Sequence, residues 1–269
     1  RGGDRGAALR AMLQAVRTEG GFKRTTAPCS ASAFLIPKNQ EECRLILNLV
    51  RMNREVGVRP PRFRLPQIED LREWLCSLPS GAKPYFVKVD LANAYWSLQM
   101  PRNWRRGFVV NGQAIQRLPF GWSFSPAVFQ ELMSRLVRNT LRRFGVPSWV
   151  YLDDVLIAST DRTALQEACQ ALLGKLRRAG FIVSEKSVLE PTPTIVFVGK
   201  EIDGLRRRVL NAPNALAQCL SFLLRGVIKG GMSWERLRSF LGRLQWVARP
   251  KCFLQPFMAG AYRQVQAGS

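Results

Sequence analysis

The chain has 269 residues, of which 46% are hydrophobic, so it can bury a sizeable core in one or two compact lobes. Its 41 Lys and Arg against 19 Asp and Glu give a net charge of +22, and most of the basic residues are arginines, which suit bidentate phosphate contacts. It contains no histidine, which excludes His-ligated zinc hydrolysis, a Ser-His-Asp triad and His-based general acid–base chemistry.

The excess of positive charge indicates a polyanionic partner, and nucleic acid is the leading candidate. A solvated basic surface is the alternative, because charge alone names no reaction. The six cysteines include no Cys-x2-Cys pair, so no zinc site is expected, and the thiols are predicted to be free and buried. No run of about 18 apolar residues is present, so neither a transmembrane helix nor a membrane partner is expected.

The apolar pattern predicts mixed strands and helices up to about residue 203 and helices beyond it. In chain order the expected elements are a helix at 7–17, strands at 33–36 and 45–47 around a polar turn at Asn39, a helix at 67–78, a strand at 85–89 ending on Asp90, a hairpin at 108–112, a helix with Ser125 as N-cap and Gly145 just past its end, strands on either side of 153–154, a helix at 163–179, a strand pair at 195–202, and helices near 214–226 and 233–248. These elements indicate an α+β core with a helical lobe appended at the C-terminal end.

Two adjacent aspartates, Asp153 and Asp154, stand between apolar runs that each predict a buried strand. They are therefore expected at a tight hairpin turn. Carboxylates this close repel each other, and a divalent cation relieves the repulsion. Ligands that are all oxygen atoms suit Mg²⁺ or Mn²⁺. The alternative is an ordinary surface turn, because aspartate is common in turns.

Asp90 follows another predicted strand, so its side chain can project from the same sheet edge as the hairpin. Three carboxylates at one edge predict a site for two divalent ions, about 3.5–4 Å apart, of the kind that catalyses in-line nucleotidyl transfer. This chemistry needs no histidine, in agreement with the composition. A strand-end cap is the alternative for Asp90 taken alone.

Six segments resemble, in the same order, the sequence motifs of reverse transcriptases. Residues 44–53 (RLILNLVRMN) are similar to the fingers strand and turn, 86–95 (FVKVDLANAY) to motif A, 118–130 (LPFGWSFSPAVFQ) to motif B, 151–154 (YLDD) to motif C, 180–186 (GFIVSEK) to motif D, and 197–202 (FVGKEI) to motif E. Any one of these motifs is a weak signal, but six in the family's order are specific.

The resemblance implies an α+β right-hand polymerase fold, with fingers, a palm of antiparallel sheet backed by helices, and a helical thumb. It implies DNA synthesis on an RNA or DNA template, with Asp90, Asp153 and Asp154 as ligands of two Mg²⁺ or Mn²⁺ ions. The other residues that it assigns are Arg44 as a triphosphate contact, Lys186 as proton donor to the leaving pyrophosphate, Tyr95 as steric gate against a ribose 2′-hydroxyl, and Phe120, Gly121 and Tyr151 as further nucleotide-binding residues. A solvated lysine and a core aromatic are the alternatives for Lys186 and Tyr95.

The same resemblance divides the chain and names its partners. The expected units are an N-terminal extension at 1–21, fingers at 22–84, a palm at 85–203 with a fingers insertion near 102–118, and a thumb or connection at 204–269. The partners are an RNA or DNA template with its primer and deoxynucleoside triphosphates, and template access favours the cytoplasm or the nucleus. The chain is expected to be part of a longer polyprotein that includes ribonuclease H.

Phe120 stands where retroviral enzymes carry a glutamine, which argues for a retrotransposon source. The source is expected to be an LTR-type element or a tyrosine-recombinase (DIRS-like) element, which residues 233–250 loosely resemble. Two other functions stay open at this stage: a non-catalytic nucleic-acid-binding remnant, and an RNA-dependent RNA polymerase. The three intact aspartates disfavour the first, and Tyr95 disfavours the second.

Overall fold

The computed structural model describes residues 2–37, 43–55, 57–105, 107–228 and 233–248. The α-helices are α1 Gly2–Thr18, α2 Val50–Glu55, α3 Ile68–Ser77, α4 Arg102–Arg105, α5 Ser125–Leu141, α6 Arg162–Arg178, α7 Pro213–Ile228 and α8 Trp234–Ala248. The strands are β1 Phe22–Arg24, β2 Ser32–Pro37, β3 Cys43–Asn48, β4 Tyr85–Ala92, β5 Val109–Val110, β6 Gln113–Ile115, β7 Ser148–Tyr151, β8 Asp154–Ser159, β9 Ile182–Val183, β10 Val188–Thr192, β11 Thr194–Phe197, β12 Lys200–Asp203 and β13 Arg208–Asn211.

An antiparallel sheet in the order β10-β4-β8-β7 forms the centre of the molecule, and β9 pairs with the far end of β4. Side chains alternate between the two faces of a strand. Val87 and Val89 of β4 therefore join the core under helices α5 and α6, together with Val155 and Ile157 of β8. The sheet is thus backed by two helices on one face, as predicted for a palm.

The opposite face of this sheet is covered in part by α3 and by a second sheet, β11-β12-β13. This second core is apolar and contains Phe86, Leu156 and Ala158 from the central sheet, Ile68, Leu71 and Leu75 from α3, and Ile195, Phe197, Ile202 and Val209 from the small sheet. Because both faces are covered, β4 and β8 are apolar on nearly every residue. Polar residues on these strands therefore need a specific reason to be there.

The N-terminal region is built from a three-stranded sheet, β1-β6-β5, and a two-stranded hairpin, β2-β3. Helix α1 packs against this region rather than standing apart from it. Leu13 of α1 is buried in the main core with Phe22, whose ring contacts Trp96 edge to face at 5.8 Å. The chain between helix and sheet turns at Gly21, where an added Cβ would lie 2.6 Å from Val16.

Helices α7 and α8 form a small helical unit around Cys219, Phe240 and Val247. Its last helix is joined to β12 by Lys200, a fully buried lysine whose Nζ donates to the carbonyl oxygen of Trp246 and to Oδ1 of Asn211. Basic groups suit the carbonyl end of a helix, where backbone acceptors lack intrahelical partners. The helical lobe predicted from the sequence is therefore attached to the motif E strands through a buried polar contact.

Two local predictions were wrong. Phe124, not Ser125, is the N-cap residue of α5, because the Ser125 hydroxyl donates to the carbonyl oxygen of Pro119. Strand β4 does not end at Asp90 but continues to Ala92, because β9 supplies a pairing partner there. The turn predicted around Asn39 lies outside the described residues. The remaining predicted helices and strands are confirmed within a few residues at their ends.

Two expectations from composition can be compared with the structure. Cys169 and Cys219 are free and buried, as predicted. Cys29, Cys43 and Cys76 are also free, but the prediction that they are buried was wrong, because all three are exposed; Cys252 lies outside the described residues. In the described ranges, every helix is too short or too polar to cross a lipid bilayer.

Candidate active site

Asp90 and Asp154 lie directly opposite each other on β4 and β8. The neighbouring pair, Val89 and Val155, is buried on the helix-covered face, so alternation directs both aspartates to the other face. Directly opposed residues of antiparallel strands have Cβ atoms about 4.5–5.5 Å apart. The fold therefore holds two carboxylates side by side at the hairpin end of β8, on two strands that are otherwise largely apolar.

Asp153 lies in the turn between β7 and β8, beside this pair. Tyr151 and Asp154 close the hairpin as cross-strand partners, and Leu152 adopts a left-handed backbone with φ 53°. The backbone N–H of Leu91 donates to the carbonyl oxygen of Asp153 at 3.1 Å, which ties the turn to β4. The hairpin predicted around two aspartates is confirmed, and it brings a third carboxylate to the Asp90–Asp154 pair.

The electrostatics of the three acids follow from this crowding. Burial raises the pKa of Asp154 to about 6, with Asp90 and Asp153 adding to the rise while Lys88 opposes it. Burial also raises the pKa of Asp153, and the charge of Asp90 contributes. Charged carboxylates are therefore disfavoured in the protein alone, and a divalent cation beside them would relieve the repulsion.

The donor set suits Mg²⁺ or Mn²⁺, since carboxylate oxygens are the ligands that these hard cations prefer. The described part of the chain does not hold three or more acidic, histidine or cysteine side chains already gathered as a metal cage. Asp90 is thus close enough to affect the ionisation of Asp153 and Asp154, but the three side chains do not form a finished cage. A bound cation would have to draw their side chains together.

Gln130 holds the hairpin turn in place from α5. Its Oε1 accepts the backbone N–H of Leu152 at 2.8 Å, and its Nε2 donates to the carbonyl oxygen of Val150 at 2.8 Å. The residue is only 4% exposed. Both hydrogen bonds are made to the backbone on either side of Tyr151, so a single amide fixes the segment that leads into Asp153.

The loop after β9 is attached to Asp90 by three hydrogen bonds. The backbone N–H of Ser184 donates to the Asp90 carbonyl oxygen at 2.8 Å, and the Ser187 hydroxyl contacts both the N–H and the carbonyl oxygen of Asp90. This loop carries Lys186, whose charge reaches Asp154 and lowers its pKa slightly against the larger effects of burial. Lys186 itself is exposed.

Tyr95 is 6% exposed and lies between two other aromatic rings. Its ring stacks on Phe129 with centroids 4.8 Å apart and leans on Phe120 at 4.6 Å. Burial raises the pKa of Tyr95 to about 12, and the charge of Asp153 adds to the rise. The ring therefore stands near the hairpin carboxylates, and Phe120, which is 43% exposed, forms its solvent-facing cover.

Gly121 lies where the motif B turn meets the N-terminal region. It has φ +90°, and an added Cβ would approach the carbonyl oxygen of Leu47 to 3.2 Å, so glycine is needed on both counts. Asn53 clamps the same turn: its Nδ2 donates to the Gly121 carbonyl oxygen, and its Oδ1 accepts the N–H of Ser123. Strand β3 and helix α2 are thus held against the turn that carries Phe120.

The structure does not bring every predicted residue to the carboxylates. Arg44 is exposed on β3, in the separate β2-β3 hairpin, where its strand partner is Ile36. Tyr151 is half-buried beside the turn of the β7–β8 hairpin and packs against the second core. A role for either in nucleotide binding therefore depends on where the triphosphate lies.

Sequence reasoning assigned no role to Gln130, Ser187 or Lys88. Lys88 lies two residues before Asp90 on the same strand face. Its positive charge lowers the pKa of Asp154 more than that of Lys186 does. A signal existed for Lys88, because it is polar within an otherwise apolar run, whereas Gln130 stands beside Glu131 in an amphipathic helix. Nothing in the sequence indicates that Ser187 reaches Asp90, a residue 97 positions earlier.

The chain that carries these three aspartates is similar to known proteins. Residues 36–202 match the family model described as reverse transcriptase (RNA-dependent DNA polymerase). The chain is 25% identical over 224 residues to Protein P of duck hepatitis B virus (strain United States/DHBV-16), covering 80% of this chain and 26% of that protein. It is 25% identical over 177 residues to the retrovirus-related Pol polyprotein from transposon 297 of Drosophila melanogaster, covering 62% of this chain and 16% of the polyprotein.

Among solved structures, the chain is similar to the foamy viral protease-reverse transcriptase in complex with an RNA/DNA hybrid. The TM-score is 0.69 at 19% identity, and the match covers 97% of this chain and 33% of that one. The α+β right-hand polymerase fold is therefore shared. The chain spans about a quarter or less of the two relatives named above. The family model covers more than half of the chain, including all three aspartates, and the protein belongs to the reverse transcriptase family.

Proposed function

We propose that this chain is the polymerase part of a retroelement reverse transcriptase, which extends a primer with deoxynucleotides on an RNA or DNA template. The observation that carries the proposal is the opposed pair of Asp90 and Asp154 with Asp153 in the adjoining turn. Two divalent ions bound there would activate the primer 3′-hydroxyl and stabilise the leaving pyrophosphate. The raised pKa of Asp154 supports a site that is completed by cations.

The surrounding residues would position the reactants. Tyr95, beneath Phe120, would exclude a 2′-hydroxyl, and Arg44 would contact the triphosphate from the fingers. Lys186, held near Asp154 by the loop attached to Asp90, would donate a proton to the pyrophosphate. Tyr151, Phe120 and Gly121 would complete the nucleotide site.

The proposed units are an extension at 1–21, fingers at 22–84, palm at 85–203 with an insertion near 102–118, and thumb or connection at 204–269. The likeness to a transposon Pol polyprotein supports an LTR-type source, with a DIRS-like element as the alternative, and a longer polyprotein that would include ribonuclease H. Template access would favour the cytoplasm or nucleus.

Primer extension on RNA and DNA templates, with either deoxynucleotides or ribonucleotides, tests this function. The parent is expected to use deoxynucleotides on both templates, and Asp153→Asn is expected to abolish synthesis while leaving duplex binding intact. Asp161→Asn is the matched control, because Asp161 caps α6 away from the site and asparagine is an equally good cap. Synthesis by Asp153→Asn within tenfold of the parent, about 1.4 kcal/mol of barrier, would end the two-metal assignment.

A further inference from the structure

A basic cleft runs along one side of the contact between α1 and the strands of the N-terminal region. Its volume is about 1170 Å³, and its walls come from α1, from β1 with the two residues after it, and from the β5–β6 turn. None of Asp90, Asp153 and Asp154 lines it. The cleft is therefore distinct from the candidate active site.

One wall of the cleft is formed by polar and basic side chains of α1. Arg10, Gln14 and Arg17 lie on the same helical stripe as Leu13, which is buried in the main core, so docking of the helix turns all three toward the cleft. Arg10 and Arg17 are seven residues apart, which is about 10 Å along a helix. This span covers at least two phosphates of a nucleic-acid strand, whose charges are about 3.4 Å apart along the axis of a duplex.

The facing wall supplies a third arginine and several neutral polar groups. Arg24, Thr25 and Thr26 follow one another along it, and the backbone N–H of Thr25 donates to the carbonyl oxygen of Gly112 in the β5–β6 turn. None of the described residues that line the cleft is acidic. Within the described ranges, Arg10, Arg17 and Arg24 form no ion pair, so their charge is directed to the cleft uncompensated.

We infer that this cleft is a second nucleic-acid site, which binds the phosphates of a single strand. The volume exceeds the 300–1,000 Å³ of typical small-molecule pockets and suits an extended segment of a few nucleotides. This second site rests on the proposed function, because the unpaired part of a bound template would be the single strand closest to the cleft. The cleft is linked to the region of Tyr95 through the core, because Phe22 of β1 packs with Leu13 of the helix wall and contacts Trp96, the neighbour of Tyr95.

Binding measurements without nucleotides test the inference independently of catalysis. The test variant replaces Arg10, Arg17 and Arg24 by Gln. The control replaces Lys175, Arg177 and Arg178, which are exposed in the last turn of α6, and therefore removes the same charge elsewhere. Three labelled probes are compared by fluorescence anisotropy: a blunt duplex, the same duplex with an unpaired 5′ template end, and a free single strand. Melting temperatures establish that both variants are folded.

The parent is expected to bind the duplex with an unpaired end more tightly than the blunt duplex. In the test variant, the ratio of these two affinities should be at least tenfold smaller than in the parent. Its slope of log affinity against log salt for the single strand should fall by about 2, since each phosphate contributes about 0.7. A lower affinity of the test variant for the duplex with an unpaired end identifies the template as the occupant of the cleft. A lower affinity for the free single strand alone identifies a separate strand as the occupant. Equal affinities of the test and control variants for both single-stranded probes would overturn the inference, whether or not the chain synthesises DNA.

Discussion

Gln130 of α5 accepts the backbone N–H of Leu152, the residue immediately before Asp153, at 2.8 Å. The same amide donates to the carbonyl oxygen of Val150. A side chain on a helix thereby fixes a turn that belongs to a sheet. The backbone at Leu152 is left-handed, a conformation that a leucine adopts only when its surroundings impose it. Gln130 therefore positions Asp153 without being one of the proposed ligands.

Replacing Gln130 by Leu should destabilise the protein and slow the reaction together. The buried N–H of Leu152 and carbonyl of Val150 would lose their partners, at a cost of about 1–3 kcal/mol. Displacement of Asp153 should lower the single-turnover rate by at least roughly tenfold, since a shift of about 1 Å in a catalytic group can cost a hundredfold. Gln166→Leu is the control, because the buried Oε1 of Gln166 has no hydrogen-bond partner in the described chain. Similar rates for the two variants would show that Gln130 does not position the turn.

Tyr95→Val should relax the selection of the sugar. Without the ring, a ribonucleotide no longer meets an overpacked contact, which typically costs about 1–3 kcal/mol. We expect the ratio of kcat/KM for ribonucleotides to that for deoxynucleotides to rise at least tenfold, or about 1.4 kcal/mol. Tyr95→Phe keeps the ring stacked on Phe129 and should keep the parent's ratio. An unchanged ratio in Tyr95→Val, with lower activity overall, would identify Tyr95 as a core aromatic only.

Asp154→Asn should stabilise the protein in the absence of divalent metal. The pKa of Asp154 is raised to about 6 in the folded chain, from an ordinary value of 3.8, so its contribution to stability is present below about pH 4 and is lost as the pH rises through 6. The difference in Tm between variant and parent should therefore grow between pH 4 and pH 7.

Mg²⁺ should reverse this order at neutral pH. A cation that binds only the folded parent raises its Tm by mass action, and Asp154→Asn should lose most of that gain. The control is again Asp161→Asn, which keeps all three proposed ligands. A Tm difference that does not change with pH, together with equal Mg²⁺ responses, would contradict a cation site at this pair.

Lys200→Met should weaken duplex binding without slowing the chemical step. The Lys200 ammonium donates to the end of α8, and a hydrogen bond of a charged group contributes about 1.5–3 kcal/mol. Its loss should loosen the proposed thumb, raise the Kd for template–primer several-fold and expose α7 and α8 to protease. The single-turnover rate at saturating duplex should match that of the parent. Lys175 is an exposed lysine on α6, and Lys175→Met should leave the Kd, the protease sensitivity and the rate unchanged. Equal behaviour of the two variants would show that the Lys200 contact does not hold α8 in place.

The local sequence pattern predicts an element correctly where the contacts that determine it join residues close together in the chain. The hairpin at Asn111 and Gly112 and the strands around Asp153 were predicted because turn residues separate two apolar runs. The prediction that Ser125 caps α5 was wrong, because Pro119, six residues earlier, competes for its hydroxyl. The predicted end of β4 was wrong because its extension depends on pairing with β9, about 90 residues later.

The family, the α+β architecture and the three acids expected to act together are predictable without coordinates, because apolar periodicity and motif order can be read along the chain. Three relationships become visible only in the fold: Asp90 faces Asp154 in register, Gln130 holds the turn before Asp153, and Arg10, Arg17 and Arg24 line one cleft. Strand register and helix docking join residues far apart in sequence. They are chosen by the burial of whole faces, which no local pattern records.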